Sequence, residues 1–181
     1  MAEEGTAVRV EITGLLVSRV HAFAGRPADG PLPDPAAPAD KIEVRAGLGL
    51  VGDRYFGRPA HRHAAVTVLD AGALREATRA IGLPDVDPLR ARRNVVVTGF
   101  AVDTLARGAV FSLDSGDGPV RLRAHRPAHP CRWMDVVLGP GAFRALRGRS
   151  GMRCEALDDG VLRLGPAVLR VLDPQPISPA P

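Results

Sequence analysis

The chain has 181 residues, 45% of them hydrophobic and 24% charged, a balance that fits one soluble domain with its own core and excludes a disordered chain. Aromatic residues make up only 4%, which argues against a base-stacking nucleic-acid surface. The net charge is +4, yet Lys41 is the only lysine among 24 basic residues, and the arginines are scattered along the chain, so a small anionic ligand suits the sequence better than a polyanion such as DNA.

Strict alternation of Val8, Val10 and Ile12 against Arg9 and Glu11 predicts a first strand within 8–20. The Pro, Gly and Asp cluster at 25–40 predicts a surface loop. Strands are expected at 41–46 and 63–69, followed by a helix over 71–81 with Asp70 as its cap and Gly82 and Pro84 as its stop. The apolar run at 94–98 reads as a strand buried on both faces, and 109–113 with 120–124 as a hairpin across Ser115–Gly118. A short helix is expected from near Cys131, a further turn at 141–146, and strands at 152–157, 161–164 and 167–172. About seven or eight short strands with few helices imply a barrel or sandwich. The core spans about 8–172 in a single domain, and 173–181 reads as a disordered tail.

The N-terminus has neither a basic nor an apolar leader segment, and no apolar run approaches the roughly 20 residues of a membrane helix. A cytoplasmic setting is expected, with both cysteines, Cys131 and Cys154, reduced.

Four segments carry candidate chemistry. Gly47–Phe56 places Asp53 and Arg54 on a tight glycine-rich loop between strands. Arg92-Arg93-Asn94 precedes a strand, where a guanidinium beside an amide at the strand mouth could grip a phosphate and a heterocycle edge. In His125–Asp135, Cys131 lies between His129, Pro130 and Arg132 at the start of a helix, a setting that favours a thiolate and makes it a nucleophile, a persulfide carrier or a soft-metal ligand. Cys154, in a strand, reads as a buried filler, and Trp133 and Met134 as core anchors. Leu146–Arg153 is a glycine-and-arginine loop in which Arg149 is the expected second anion contact.

Taken in order, GLVGDRYF at 49–56, VTVLD at 66–70, RRNVVVTGF at 92–100, TLARGAVF at 104–111, PCRWMD at 130–135 and GVLRLGPAV at 160–168 resemble the MOSC family. This family is named for the C-terminal domain of molybdenum cofactor sulfurases and includes small bacterial stand-alone members. The resemblance implies a mainly β fold with a few short helices, closed or nearly closed into a β-barrel, that binds the molybdenum cofactor in its molybdopterin form. It places the family cysteine at Cys131, as molybdenum ligand or sulfur carrier. It places the cofactor-holding residues at Arg54, Arg92 and Asn94, although Arg-Arg-Asn stands here where amidoxime-reducing relatives carry Arg-Pro-Asn.

No pyridoxal-phosphate sulfurase domain and no iron–sulfur or flavin motif accompanies these segments. Sulfur or electrons would therefore come from a separate sulfurase or electron-transfer protein, with N-hydroxylated compounds as candidate substrates and neither nucleic acid nor membrane as partner. Three readings remain open at this point: a molybdenum-dependent oxidoreductase or sulfur-transfer protein, a non-catalytic cofactor carrier, and a zinc site built from His125, His129 and Cys131 with His61 or His63.

Overall fold

A computed structural model describes residues 6–34 and 38–172. The expected tail at 173–181, and positions 35–37 of the expected loop, lie outside the described residues. The strands are β1 (Thr6–Leu15), β2 (Lys41–Arg45), β3 (Gly49–Leu50), β4 (Val66–Asp70), β5 (Val95–Thr98), β6 (Val110–Asp114), β7 (Pro119–Pro127), β8 (Met152–Ala156), β9 (Gly160–Arg163) and β10 (Gly165–Leu172). Helices α1 (Ala71–Arg79), α2 (Trp133–Val137) and α3 (Ala142–Ala145) complete the set, together with short 310 turns.

Seven strands close into a barrel in the order β1, β10, β6, β7, β8, β4, β5. All neighbours are antiparallel except β4 and β5. A parallel pair needs a crossover, and the segment containing α1 supplies it. Strands β3, β2 and β9 form a small separate sheet. The fold is therefore mainly β, with a closed barrel.

The alternation seen in β1 is realised directly, with Val10 and Ile12 inside the barrel and Glu11 and Thr13 exposed. β5 is buried on both faces: Val95 and Val97 enter the barrel core, while Val96 joins a second apolar cluster outside it. That outer cluster packs the buried face of α1 (Ala71, Leu74, Ala77) and Trp133, Met134 and Val137 of α2 against the barrel wall. Each fully buried Leu or Val contributes about 1.5–3 kcal/mol. Asp70 caps α1 as expected, its Oδ1 accepting from the Gly72 N–H at 2.8 Å.

Two elements depart from the pattern. The strand expected from 63 begins only at Val66, because Pro59–Ala64 wind into a 310 turn. The chain passes from β8 to β9 across Asp158-Asp159-Gly160, yet β9 pairs with β2. Asp159 accepts from the Ala46 N–H at 2.8 Å and Asp158 from Arg121, and these bonds hold the connection away from a simple hairpin. No helix among the described residues is long and apolar enough to cross a membrane.

Candidate functional site

The site begins with phase along two strands. Val66 and Val68 of β4, and Met152 and Cys154 of β8, point into the barrel. Side chains alternate across a sheet, so Thr67 and Arg153, which oppose each other in register, face outward. Both line a cavity of about 210 Å³ between the barrel wall and the segment leading into α2. The cavity thus lies on the outer wall rather than at the strand mouth that the Arg92-Arg93-Asn94 segment suggested.

Three further chain segments close it. Arg54 and Tyr55 come from the loop after β3, Arg92 and Arg93 from the approach to β5, and His129, Cys131 and Trp133 from the connection after β7. His21 and Phe23, after β1, complete the wall. Cys131 is exposed, whereas Cys154 is fully buried in the barrel core, where burial pushes its thiol far above the ordinary range. A larger depression of about 380 Å³ beside α2 and α3, lined by Arg132, Arg144 and Arg147, contains neither cysteine.

Asp53 organises the Arg54 loop. Its buried carboxylate accepts from the backbone N–H of Ser18 at 3.3 Å and of Tyr55 at 3.0 Å, and from Asn94 Nδ2 at 3.2 Å. Asn94 is buried as well: its Oδ1 accepts from the Thr67 N–H at 2.9 Å and its Nδ2 also donates to the Leu16 carbonyl at 3.1 Å. The amide expected to hold a cofactor is thus occupied by protein partners and does not line the cavity. Its place in the fold is that of a pin joining β1, the Arg54 loop and β4.

Arg92 has left-handed backbone geometry, with φ 58°, unique among non-glycine described residues. Its guanidinium is tied to the Ser18 hydroxyl at 2.9 Å and the Val20 carbonyl at 3.1 Å, and it ion-pairs with Asp34. These ties offset the backbone strain, of order 1–3 kcal/mol. Arg93 donates to the carbonyl and hydroxyl of Ser150 at 3.0 and 2.7 Å. Burial, and then the charge of Arg153, pull its pKa down to about 10, while Cys131 acts in the opposite direction.

Arg153 donates to the Ala64 carbonyl at 3.3 and 3.2 Å. Arg54 Nε is buried and without a hydrogen-bond partner. None of Arg54, Arg93 and Arg153 has a carboxylate in ion-pair contact among the described residues. No carboxylate among the described residues lines the cavity either. An anion entering it would meet guanidinium groups whose charge is not already neutralised, and an unmatched buried donor invites such a partner.

Gly151 makes the β8 entry possible. With φ +92°, it passes so close to β4 that an added Cβ would sit 2.3 Å from the Val68 carbonyl oxygen. Its N–H donates to Asp103 at 2.8 Å and its carbonyl accepts from the Ala128 N–H at 2.8 Å, which fixes the connection leading to Cys131.

Arg149 does not reach the cavity. It is exposed and pairs with Glu76 of α1 at 3.1 Å. Arg153 supplies the β8 contact instead. Arg93, Arg153 and Tyr55 were not singled out as contacts from the sequence; for Arg153 the signal was available in its position between inward Met152 and Cys154. Among the described residues no group of three His, Cys, Asp or Glu side chains is placed to hold a metal ion, so the histidine-rich zinc arrangement does not form.

A family model described as the MOSC domain matches residues 50–169. The chain belongs to the MOSC family. Solved structures similar to this MOSC protein include the YuaD protein from Bacillus subtilis, at 18% identity and TM-score 0.73, with 93% of this chain and 98% of that one covered. YiiM from Geobacillus stearothermophilus is similar at 17% identity and TM-score 0.59, over 91% of this chain and 75% of that one. YiiM from Escherichia coli follows at 14% identity and TM-score 0.57, over 93% and 70%. At these identities the likeness is one of fold. No curated protein sequence matches the chain.

Proposed function

We propose that the outer-wall cavity binds the molybdenum cofactor in its molybdopterin form, with Cys131 as molybdenum ligand or persulfide-bearing sulfur carrier. The observation that carries this reading is the juxtaposition of an exposed thiol with Arg54, Arg92, Arg93 and Arg153 in a cavity that no carboxylate among the described residues lines. The MOSC domain is generally associated with molybdenum cofactor binding, and the donor set fits such a group. A soft thiolate suits molybdenum, guanidinium forks suit a phosphate, and the orphaned Nε of Arg54 is a buried donor of the kind a phosphate satisfies.

In this reading Arg54 and Arg153 bind the anionic end, Arg93 adds positive charge from behind, and Arg92, already paired with Asp34, shapes the wall. The cofactor when bound supplies redox chemistry or a transferable sulfur. Electrons or sulfur come from a separate protein in a cytoplasmic setting, and N-hydroxylated compounds are the substrate class.

Expression in a host that makes molybdopterin, with molybdenum, pterin and zinc measured in one sample, tests the reading. Stoichiometric pterin supports it; zinc without pterin rejects it. Because Cys131 is exposed, Cys131→Ala should keep the melting temperature of the parent and lose reductase activity or cyanide-labile sulfur. A variant with bound pterin and unchanged activity removes Cys131 from the chemistry. Should Cys131→Ser and the parent both bind pterin and neither turn over substrate, the protein is a carrier.

A further inference from the structure

Tyr55 is the only tyrosine in the chain. It follows Arg54 in the loop held by Asp53, with its own N–H bonded to that carboxylate at 3.0 Å. Its ring is surrounded by cationic and aromatic groups from three elements. The Arg54 guanidinium carbon lies 4.5 Å from the ring centroid, that of Arg153 on β8 lies 5.3 Å away, and the His61 ring from the following 310 turn lies 4.2 Å away.

His61 is held below its ordinary pKa, by burial first and then by the charges of Arg153, Arg126, Arg54 and Arg58, so at neutral pH it faces the phenol uncharged. The remaining charged or titratable groups around the cavity are Arg92, Arg93, His21, His129 and Cys131. Burial pushes the Tyr55 phenol up, but the hydrogen bonds and charges of Arg54 and Arg153 more than offset it, and the phenol lies below its ordinary value.

A phenylalanine would stack under two guanidinium groups equally well. The hydroxyl adds something different. Guanidinium groups only donate hydrogen bonds, so a phenol oxygen beside them can accept while its own proton remains available to a third group. In this cavity an anion is the natural acceptor.

We propose that Tyr55 is a ligand-contacting residue of the cavity, its hydroxyl donating a hydrogen bond to a phosphate group held by Arg54 and Arg153, so that anion binding is coupled to protonation of the phenol. The inference rests on the cavity binding an anion and does not need molybdenum. Its sign follows from charge. As pH rises through the phenol's own value the donor becomes a phenolate, two negative groups face each other, and affinity falls; conversely, a bound phosphate holds the proton on and moves the phenol's titration to higher pH. Burial also weakens the hold of Arg93 on its proton, so affinity alone would not isolate the phenol. Phenolate absorbance in the near ultraviolet does, because no other tyrosine contributes.

The experiment titrates that absorbance in the full chain with and without inorganic phosphate, alongside calorimetric phosphate affinities for the parent and Tyr55→Phe. The expected free-protein midpoint lies below the roughly 10 of an ordinary phenol, and phosphate moves it upward. Tyr55→Phe should abolish the absorbance change and weaken phosphate binding about tenfold at neutral pH. A midpoint unmoved by saturating phosphate, a parent protein that takes up no phosphate, or a phenylalanine variant that binds as tightly as the parent overturns the proposal. The absorbance titration needs only the parent, so a variant that folds poorly does not block the test. If phosphate binds and moves the phenol while protein from a molybdopterin-making host carries no pterin, the cofactor reading fails and this one stands.

Discussion

Two sets of arginines in the same fold have opposite fates. On β7 and β9, Arg121 meets Asp158 through two nitrogens at 2.9 and 2.8 Å, Arg123 meets Glu155 at 3.2 Å, and Arg163 meets Asp117. In the cavity, Arg93 and Arg153 end on a serine and on a backbone carbonyl, and the Nε of Arg54 ends on nothing. A carbonyl satisfies a donor without cancelling its charge, whereas a carboxylate does both. In an arginine-rich chain, then, the partner and not the residue type separates a structural cation from one kept for a ligand.

The largest effect that would break this contrast lies beneath the cavity. Asn94→Ala leaves the buried Thr67 N–H unpaired and takes from Asp53 Oδ2 one of its two donors, the Ser18 N–H remaining, which should cost on the order of 3 kcal/mol. Urea unfolding should show that loss, together with weaker phosphate binding as the Arg54 loop loosens. A loss under about 0.5 kcal/mol would mean that the pin is not what holds the loop.

Arg54→Ala should act on binding instead, weakening phosphate about tenfold while costing stability no more than about 1 kcal/mol, since among the described residues it loses no ion pair, only its contacts with Tyr55. Unaltered phosphate affinity would place Arg54 with the structural set.

On the paired side the effects are smallest. Arg121→Ala should cost under about 1 kcal/mol and leave phosphate affinity unchanged. The hydrogen bond from Arg121, opposed by burial, holds the Asp158 carboxyl below its usual value. A carboxyl lowered on folding contributes stability above the unfolded value of about 3.9, and that contribution is lost as pH falls through the folded value. Asp158→Asn should therefore flatten that acid limb of the stability curve, and an unchanged acid limb would show that the pair contributes nothing.

Much of the barrel could be read before any coordinates. Alternation in β1, the hairpin of β6 and β7, and α1 between Asp70 and Gly82 are local signals, and each formed near its expected place. Pairing order is not local: β9 joins β2 because of contacts made by the Asp158-Asp159 turn, and β3 has only two residues, too few for any period to show. The site follows the same division. Segments flanking Cys131, Arg54 and Arg92 were legible as separate motifs, and the structure brings those three residues to one cavity. Choosing between Arg149 and Arg153 required knowing which face of β8 lies under the α2 segment, and tertiary packing alone decides that. Asn94 looked like a ligand contact because an amide beside arginine can serve either a ligand or the protein, and only burial tells which.

The period-two wall of β4 and β8 has a consequence for how this chain can vary. One side of each strand serves the hydrocarbon interior and the other serves the ligand, so a single residue inserted within β8 would trade the positions of Arg153 and Cys154. A guanidinium would then be driven into the core while a thiol took its post. A substitution on one face leaves the other face in phase, whereas a change in length would damage interior and binding surface together.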